Sequence, residues 1–169
     1  MQSLRAGLAL AILAAAPAWA QDDLVKTARA AMTSADGAEV GTLVLNTTPA
    51  GVMIQGELQG LPAGPHGFHV HETGACEPPF ESAGGHYNPA GAEHGFLAEA
   101  GPHAGDMTNI NVEADGVTIE LLNTFLTLGP VLFDDDGAAI LVHAMPDDYR
   151  SQPSGHAGDR IACGVIEAD

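Results

Sequence analysis

Between His66 and Asp106 lie six of the chain's eight histidines, in a stretch whose second half is rich in Gly and Pro. His69 and His71 stand two apart in Phe68-His69-Val70-His71. A strand sends residues i and i+2 to one face, so both imidazoles can reach one ion. His86, His94, His103 and Asp106 follow at intervals of eight, nine and three in a segment that reads as a long loop. Such backbone can fold around an ion. His143 ends a second apolar run, Ile140-Leu141-Val142-His143, which can pack back against the first. Seven candidate ligands result, enough for two sites that share one residue.

The rest of the chain is written in short β-favouring runs. From Thr27 onward they include Val40 to Leu45, Val52 to Leu58, Phe68 to His71, Ile110 to Val112, Val117 to Leu122, Ala138 to His143 and Ile161 to Ile166. Thr48-Pro49-Ala50-Gly51, Asp115-Gly116 and Asp134-Asp135-Asp136-Gly137 carry turn chemistry between them, and Gly60 to Pro65 reads as a break. No stretch shows a convincing 3.6-residue amphipathic period, and there is no repeat, linker or second domain. About eight such runs predict an all-β sandwich or barrel. Two connections are too long for hairpins, Glu72 to Asn109 and Ala144 to Asp159. Long loops in a compact β domain are usually functional or disordered, and the first, which holds the candidate ligands, reads as functional.

Residues 1 to 20 read as a targeting segment. Arg5 supplies a short positive start, Ala6 to Ala16 is an apolar run too short to span a bilayer, and Ala18-Trp19-Ala20 is a cleavage pattern. The expected product is one exported domain, 21 to 169, in a periplasm or outside the cell. In that oxidising setting Cys76 and Cys163 are expected to pair. The chain-entropy model assigns so long a closed loop roughly 4–5 kcal/mol. Without Arg5, four basic residues (Lys26, Arg29, Arg150 and Arg160) face 22 acidic ones, a net of −18 against −17 for the whole chain. Nucleic acid and anionic membrane are poor partners for such a surface.

Imidazole suits zinc and copper, and Asp adds a hard anionic oxygen. Three His and one Asp form a closed four-coordinate set that zinc accepts, which His86, His94, His103 and Asp106 would supply. His69, His71 and His143 lack a carboxylate and suit a tetragonal copper site with one open position. A His86 offering both ring nitrogens would bridge the two. Any one of these histidines alone would be a satisfied core or surface residue. Seven together point to metal. Three classes fit: a redox enzyme, a copper carrier or sink without turnover, and a β-sandwich stabilised by zinc alone. Carriers favour thiolate- or Met-rich Cu(I) sites, and the five Met do not cluster.

The motifs Gly67-Phe68-His69-Val70-His71-Glu72, Ser82 to Pro89, Gly101-Pro102-His103-Ala104-Gly105-Asp106, Leu141-Val142-His143 and Gly158 to Ile166 resemble those of bacterial secreted copper/zinc superoxide dismutases. The likeness runs from about Ala38 to Ile166. It implies an eight-stranded Greek-key sandwich or barrel, immunoglobulin-like, with two long functional loops. It also implies copper held by His69, His71, His86 and His143, and zinc by His86, His94, His103 and Asp106. Asp147 matches the family's carboxylate that bonds the free nitrogens of His69 and His94, and Arg160 the arginine that holds the anion beside copper. The Cys76–Cys163 pairing agrees. Superoxide would be the substrate, in antioxidant defence of the cell envelope, by a monomer or homodimer. The loop from Ala144 to Asp159 departs from the pattern: it is short and lacks a lysine many relatives carry, leaving Arg150 as a candidate for drawing in substrate. His66 reads as a support under the site and His156 as an ordinary loop residue.

Overall fold

The computed structural model describes residues 24–169; the leader expected over 1–20 lies outside them. Nine strands follow in chain order: β1 (Thr27–Ser34), β2 (Glu39–Thr48), β3 (Gly51–Leu58), β4 (Gly64–His66), β5 (Phe68–His71), β6 (Ile110–Val112), β7 (Val117–Asn123), β8 (Ala139–His143) and β9 (Arg160–Ala168). The count exceeds the expected eight by β4. Gly64-Pro65-His66 lies partly in the stretch read as a break, yet it pairs with Val112, Asn111 and Ile110 of β6. A Pro at the edge of a two-stranded ribbon forfeits little pairing, so its presence did not exclude a strand.

Seven strands form one antiparallel sheet in the order β5-β8-β9-β1-β2-β3-β7, with β4 and β6 a second ribbon. The sheet curls until β7 comes to lie beside β6, making the barrel-like sandwich that the sequence predicted. Neighbours distant in sequence, such as β5 with β8 and β9 with β1, are the mark of a Greek key. Alternation decides which face goes in. In β1, Ala28, Ala30 and Met32 are buried while Arg29 and Ala31 are exposed. In β2 and β3, Leu43, Leu45, Val52 and Ile54 meet the same interior.

A third long connection, between β7 and β8, was not singled out by its sequence. It buries Leu126, Leu128 and Leu132 in the core, so its role is packing. The other two, 72–109 and 144–159, stand together over β5 and β8. Both of these strands are buried along their whole length, and there the histidines meet.

Candidate metal centre

β5 is an edge strand, and an unpaired edge must be covered. The 72–109 loop covers it with its own backbone. Val70 N donates to Gly105 O at 2.9 Å, Tyr87 N to Val70 O at 2.8 Å and Glu72 N to Gly85 O at 3.0 Å. His71 thereby lies opposite His86, and His69 opposite Asp106. Gly105 is needed for this stitching, because a Cβ there would stand 2.3 Å from Val70 O. On the other side of the strand, His143 comes from β8 at a bulge. The β8–β9 register shifts between Val142 and His143, and His143 pairs across to Arg160. A bulge re-aims a side chain, and here it sets an imidazole beside a guanidinium.

The result is two buried groups with one common member. His69, His71, His86 and His143 offer ligand atoms within 4.8 Å of one another, and so do His86, His94, His103 and Asp106. His86 Nδ1 lies 2.8 Å from Asp106 Oδ1, while His94 Nδ1 lies 3.0 Å from the same oxygen. Three buried ring nitrogens, His69 Nδ1, His86 Nε2 and His103 Nδ1, have no hydrogen-bond partner. Burying such an atom without a partner is costly. A cation accepting their lone pairs accounts for all three, so the donor set fits copper and zinc.

The opposite nitrogens are occupied. His71 Nδ1 meets Gly84 O at 3.0 Å and His143 Nδ1 meets Gly158 O at 3.3 Å. Asp147, from the 144–159 loop, is fully buried between the groups. Its Oδ2 accepts from His69 Nε2 at 2.8 Å and its Oδ1 from His94 Nε2 at 3.1 Å. Tyr149 N also donates to Oδ1, at 2.6 Å. A carboxylate of this kind orients a ligating ring and fixes its tautomer.

Charge sets His94 apart from the other rings, since burial lowers His103 of the second group as well. Burial pushes His69 down to about 4 and His143 down to about 3, and holds His71 well below the usual range; neighbouring imidazoles deepen all three. These rings are neutral at pH 7, with lone pairs free for a cation. His69 stays neutral although it touches Asp147, because burial outweighs the pull of that carboxylate, and its neutral Nε2–H still donates to Oδ2. His94 goes the other way. Burial opposes its protonation, but hydrogen bonds to Asp106 and Asp147 outweigh that and push it up to about 9. Burial alone would raise both carboxyls. Hydrogen bonds from His86 and His94 on Asp106, and from His69 and His94 on Asp147, hold them well below the usual carboxylate range.

A cavity of about 240 Å³ opens on the first group, lined by His71, His86, His143, Glu81, Ser154 and Arg160 among others. Arg160 is held there by two carbonyls: Nη1 donates to Phe80 O at 2.5 Å and Nη2 to Gly84 O at 2.6 Å. Between those carbonyls runs a 3-10 turn, Glu81–Ala83. The Cys76–Cys163 disulfide, with Cα atoms 5.6 Å apart, anchors this part of the loop to β9. The seven candidate ligands, Asp147 and Arg160 thus converge. Arg150 and His156 do not: both are exposed on the 144–159 loop, and His156 Nδ1 lies 3.5 Å from Asp148 Oδ2. His66 sits beneath, buried, its ring nitrogens 2.7 Å from His143 O and 2.8 Å from Pro62 O. Sequence reasoning missed Glu81, Asn109, whose side chain bonds the backbone of Asp147, and Gln152, whose side chain bonds the backbone of His94, as well as the carbonyls of Phe80 and Gly84. Only Glu81, inside a ligand-bearing loop, left a signal that charge alone could have flagged.

A family model described as copper/zinc superoxide dismutase (SODC) matches residues 39–166. The chain is 43% identical to Superoxide dismutase (Cu-Zn) 2 of Aquifex aeolicus, over 98% of this chain and 99% of that one. It is 43% identical to the Cu-Zn superoxide dismutase of Caulobacter vibrioides, over 83% and 86% of the two chains. Among solved structures, a SOD-like protein from Bacillus subtilis superposes with a TM-score of 0.75 at 36% identity, covering 81% of this chain and 96% of that one. The Cu/Zn superoxide dismutase of Brucella abortus superposes with a TM-score of 0.69 at 31% identity, covering 84% and 100%.

Proposed function

The chain belongs to the copper/zinc superoxide dismutase family, and from that premise we propose how its residues divide the work of converting superoxide to oxygen and hydrogen peroxide. His69, His71, His86 and His143 hold copper. His86, His94, His103 and Asp106 hold zinc, so His86 serves both. What the metals supply is a one-electron copper couple, reduced by one superoxide and reoxidised by a second, beside a redox-inert zinc charge. Two superoxides and two protons yield one dioxygen and one hydrogen peroxide.

The chain's own groups do the remainder. Two of the five N–H bonds of Arg160 are spent on Phe80 O and Gly84 O; the others can meet a small anion in the cavity. His86 Nε2, which has no hydrogen-bond partner, would be the atom able to hold a proton, whenever its lone pair is not on the metal, and to pass it to the departing peroxide. Asp147 fixes the tautomers of His69 and His94. The observation that carries this reading is the set of three unpartnered buried nitrogens, distributed over both groups and including one on the shared ring.

A non-catalytic copper- and zinc-binding protein is the alternative, and the family fold does not by itself exclude it. It leaves the two-carbonyl clamp on Arg160 at the mouth of the cavity without a purpose. Metal analysis of the purified protein, combined with superoxide decay followed after pulse radiolysis, decides between them. One copper and one zinc per chain with rapid decay is expected; a fully metallated protein that leaves superoxide untouched would sink the enzymatic assignment.

We further read residues 1–20 as a leader removed on export and 21–169 as one domain acting in the periplasm or outside the cell. The Cys76–Cys163 bridge supports an oxidising compartment. The net charge of −17 argues against a nucleic-acid or anionic-membrane partner. A monomer and a homodimer both suit a site built within one chain.

A further inference from the structure

The 144–159 loop supplies no member of either ligand group, yet it is tied to the 72–109 loop by two side-chain carboxamides used in the same way. Gln152 Oε1 accepts from the backbone N of His94 at 2.8 Å, and Gln152 Nε2 donates to the backbone O of His94 at 2.9 Å. In the opposite direction, Asn109 Oδ1 accepts from Asp147 N at 2.8 Å, and Asn109 Nδ2 donates to Asp147 O at 2.9 Å. Among the described residues these are the only backbone hydrogen bonds of His94 and of Asp147. The two clamped residues then touch each other through the His94 Nε2–Asp147 Oδ1 bond at 3.1 Å. Gly155 backs the pair so closely that a Cβ there would stand 1.8 Å from Asp147 Oδ1 and 2.7 Å from His94 Nε2.

A single hydrogen bond would let the backbone of His94 pivot. A donor and an acceptor from one planar carboxamide fix its rotation. His94 needs that, because its two ring nitrogens point at different carboxylates, Asp106 and Asp147, and a small turn of the backbone spoils both contacts. The residue lies in a loop, outside any strand whose ladder could hold it.

We propose that Gln152 and Asn109 are positioning residues that together make the 144–159 loop the latch on zinc, controlling its release from a loop that contributes no zinc ligand. The proposal rests on the assignment of His94 to zinc. For zinc to leave, His94 must swing away. That requires breaking the Gln152 pair, or shifting Asp147 against the hold of Asn109.

The test uses the fully metallated protein. Zinc transfer to a chromogenic chelator is timed for the parent, Gln152→Ala, Gln152→Glu and Asn109→Ala, and the visible bands of cobalt(II) substituted at the zinc position are recorded for each. Gln152→Ala should release zinc on the order of ten-fold faster, the range in which loss of an outer ligand partner acts. Gln152→Glu keeps the acceptor for His94 N but turns an oxygen toward His94 O, so it should fall between parent and alanine. The cobalt bands should shift in both, a change that a merely lowered melting temperature would not produce. Release at the parent's rate with the parent's cobalt spectrum, in either Gln152 variant, overturns the latch. The underlying assignment fails differently: the parent itself would not take up one zinc.

Discussion

Replacing Asp147 by Asn should weaken copper more than zinc, although the residue belongs to neither ligand set. The side chain keeps its shape, and one acceptor becomes a donor. Oδ1 receives two hydrogen bonds, from His94 Nε2 and Tyr149 N, whereas Oδ2 receives one, from His69 Nε2. The carboxamide oxygen should therefore keep the Oδ1 position and turn its NH2 toward His69. There it meets an N–H. His69 must either forgo that bond or move its proton to Nδ1, the nitrogen left without a partner for the metal. A hydrogen bond to a charged group contributes about 1.5–3 kcal/mol, which at about 1.4 kcal/mol per decade is roughly ten- to a hundred-fold in affinity. Competition against a chelator of known affinity, run separately for each metal, measures both losses. Copper held within about three-fold of the parent, or zinc weakened more than copper, would refute the tautomer argument.

Other outcomes follow from the same geometry. Arg160→Met should lower the second-order rate with superoxide at least about ten-fold while both metals stay bound, and the parent's rate should fall as salt is added; a rate that rises with ionic strength would show that Arg160 does not steer the anion. Glu81→Gln, which removes a negative charge from the cavity lining, should raise that rate by about two-fold. Cys76→Ser should free the turn that holds Arg160 and speed zinc loss well below the melting temperature, which metal release and thermal unfolding measured together would show. In the metal-free protein His94, pushed up to about 9, contributes stability that is complete below about 6.5 and lost as pH rises through 9; zinc must displace that proton, so zinc affinity should climb with pH to about 9 while the neutral His69 and His143 add no such slope near pH 7, as calorimetry in buffers of different ionisation enthalpy would reveal.

The convergence of the candidate ligands was legible because each is a side chain whose chemistry shows in its letter and its spacing. His69 and His71 announce a strand face, and the spaced residues from His86 to Asp106 announce a loop that must close on something. Arg160 and Asp147 were legible only through family likeness, since nothing local separates them from solvated loop charges. The contacts that hold them were not legible at all. Arg160 is clamped by the carbonyls of Phe80 and Gly84, and His94 by Gln152 from the other long loop. A carbonyl is the same on every residue, so its use leaves no mark in sequence, and a Gln in a polar loop looks like any other. β4 was missed for a related reason: Gly64-Pro65-His66 carries turn letters, and only its pairing with β6 makes it a strand.

The division of the two groups between strand and loop sets the order in which they can be lost. His69, His71 and His143 sit on β5 and β8, which pair with each other and are buried throughout. They are neutral and close together before any cation arrives, so they need little rearrangement to bind one. His94, His103 and Asp106 come from loop backbone stitched to an edge, and the protonated His94 ring spans the two carboxylates with an N–H to each. Zinc bound there would replace one of those protons and tie the loop more firmly to the sheet. The shared His86 then inherits its position from the loop's closure, while the other three histidines of its group inherit theirs from the sheet. Opening the loop should consequently cost the site its zinc and its bridging ring first, leaving a three-histidine group on intact strands.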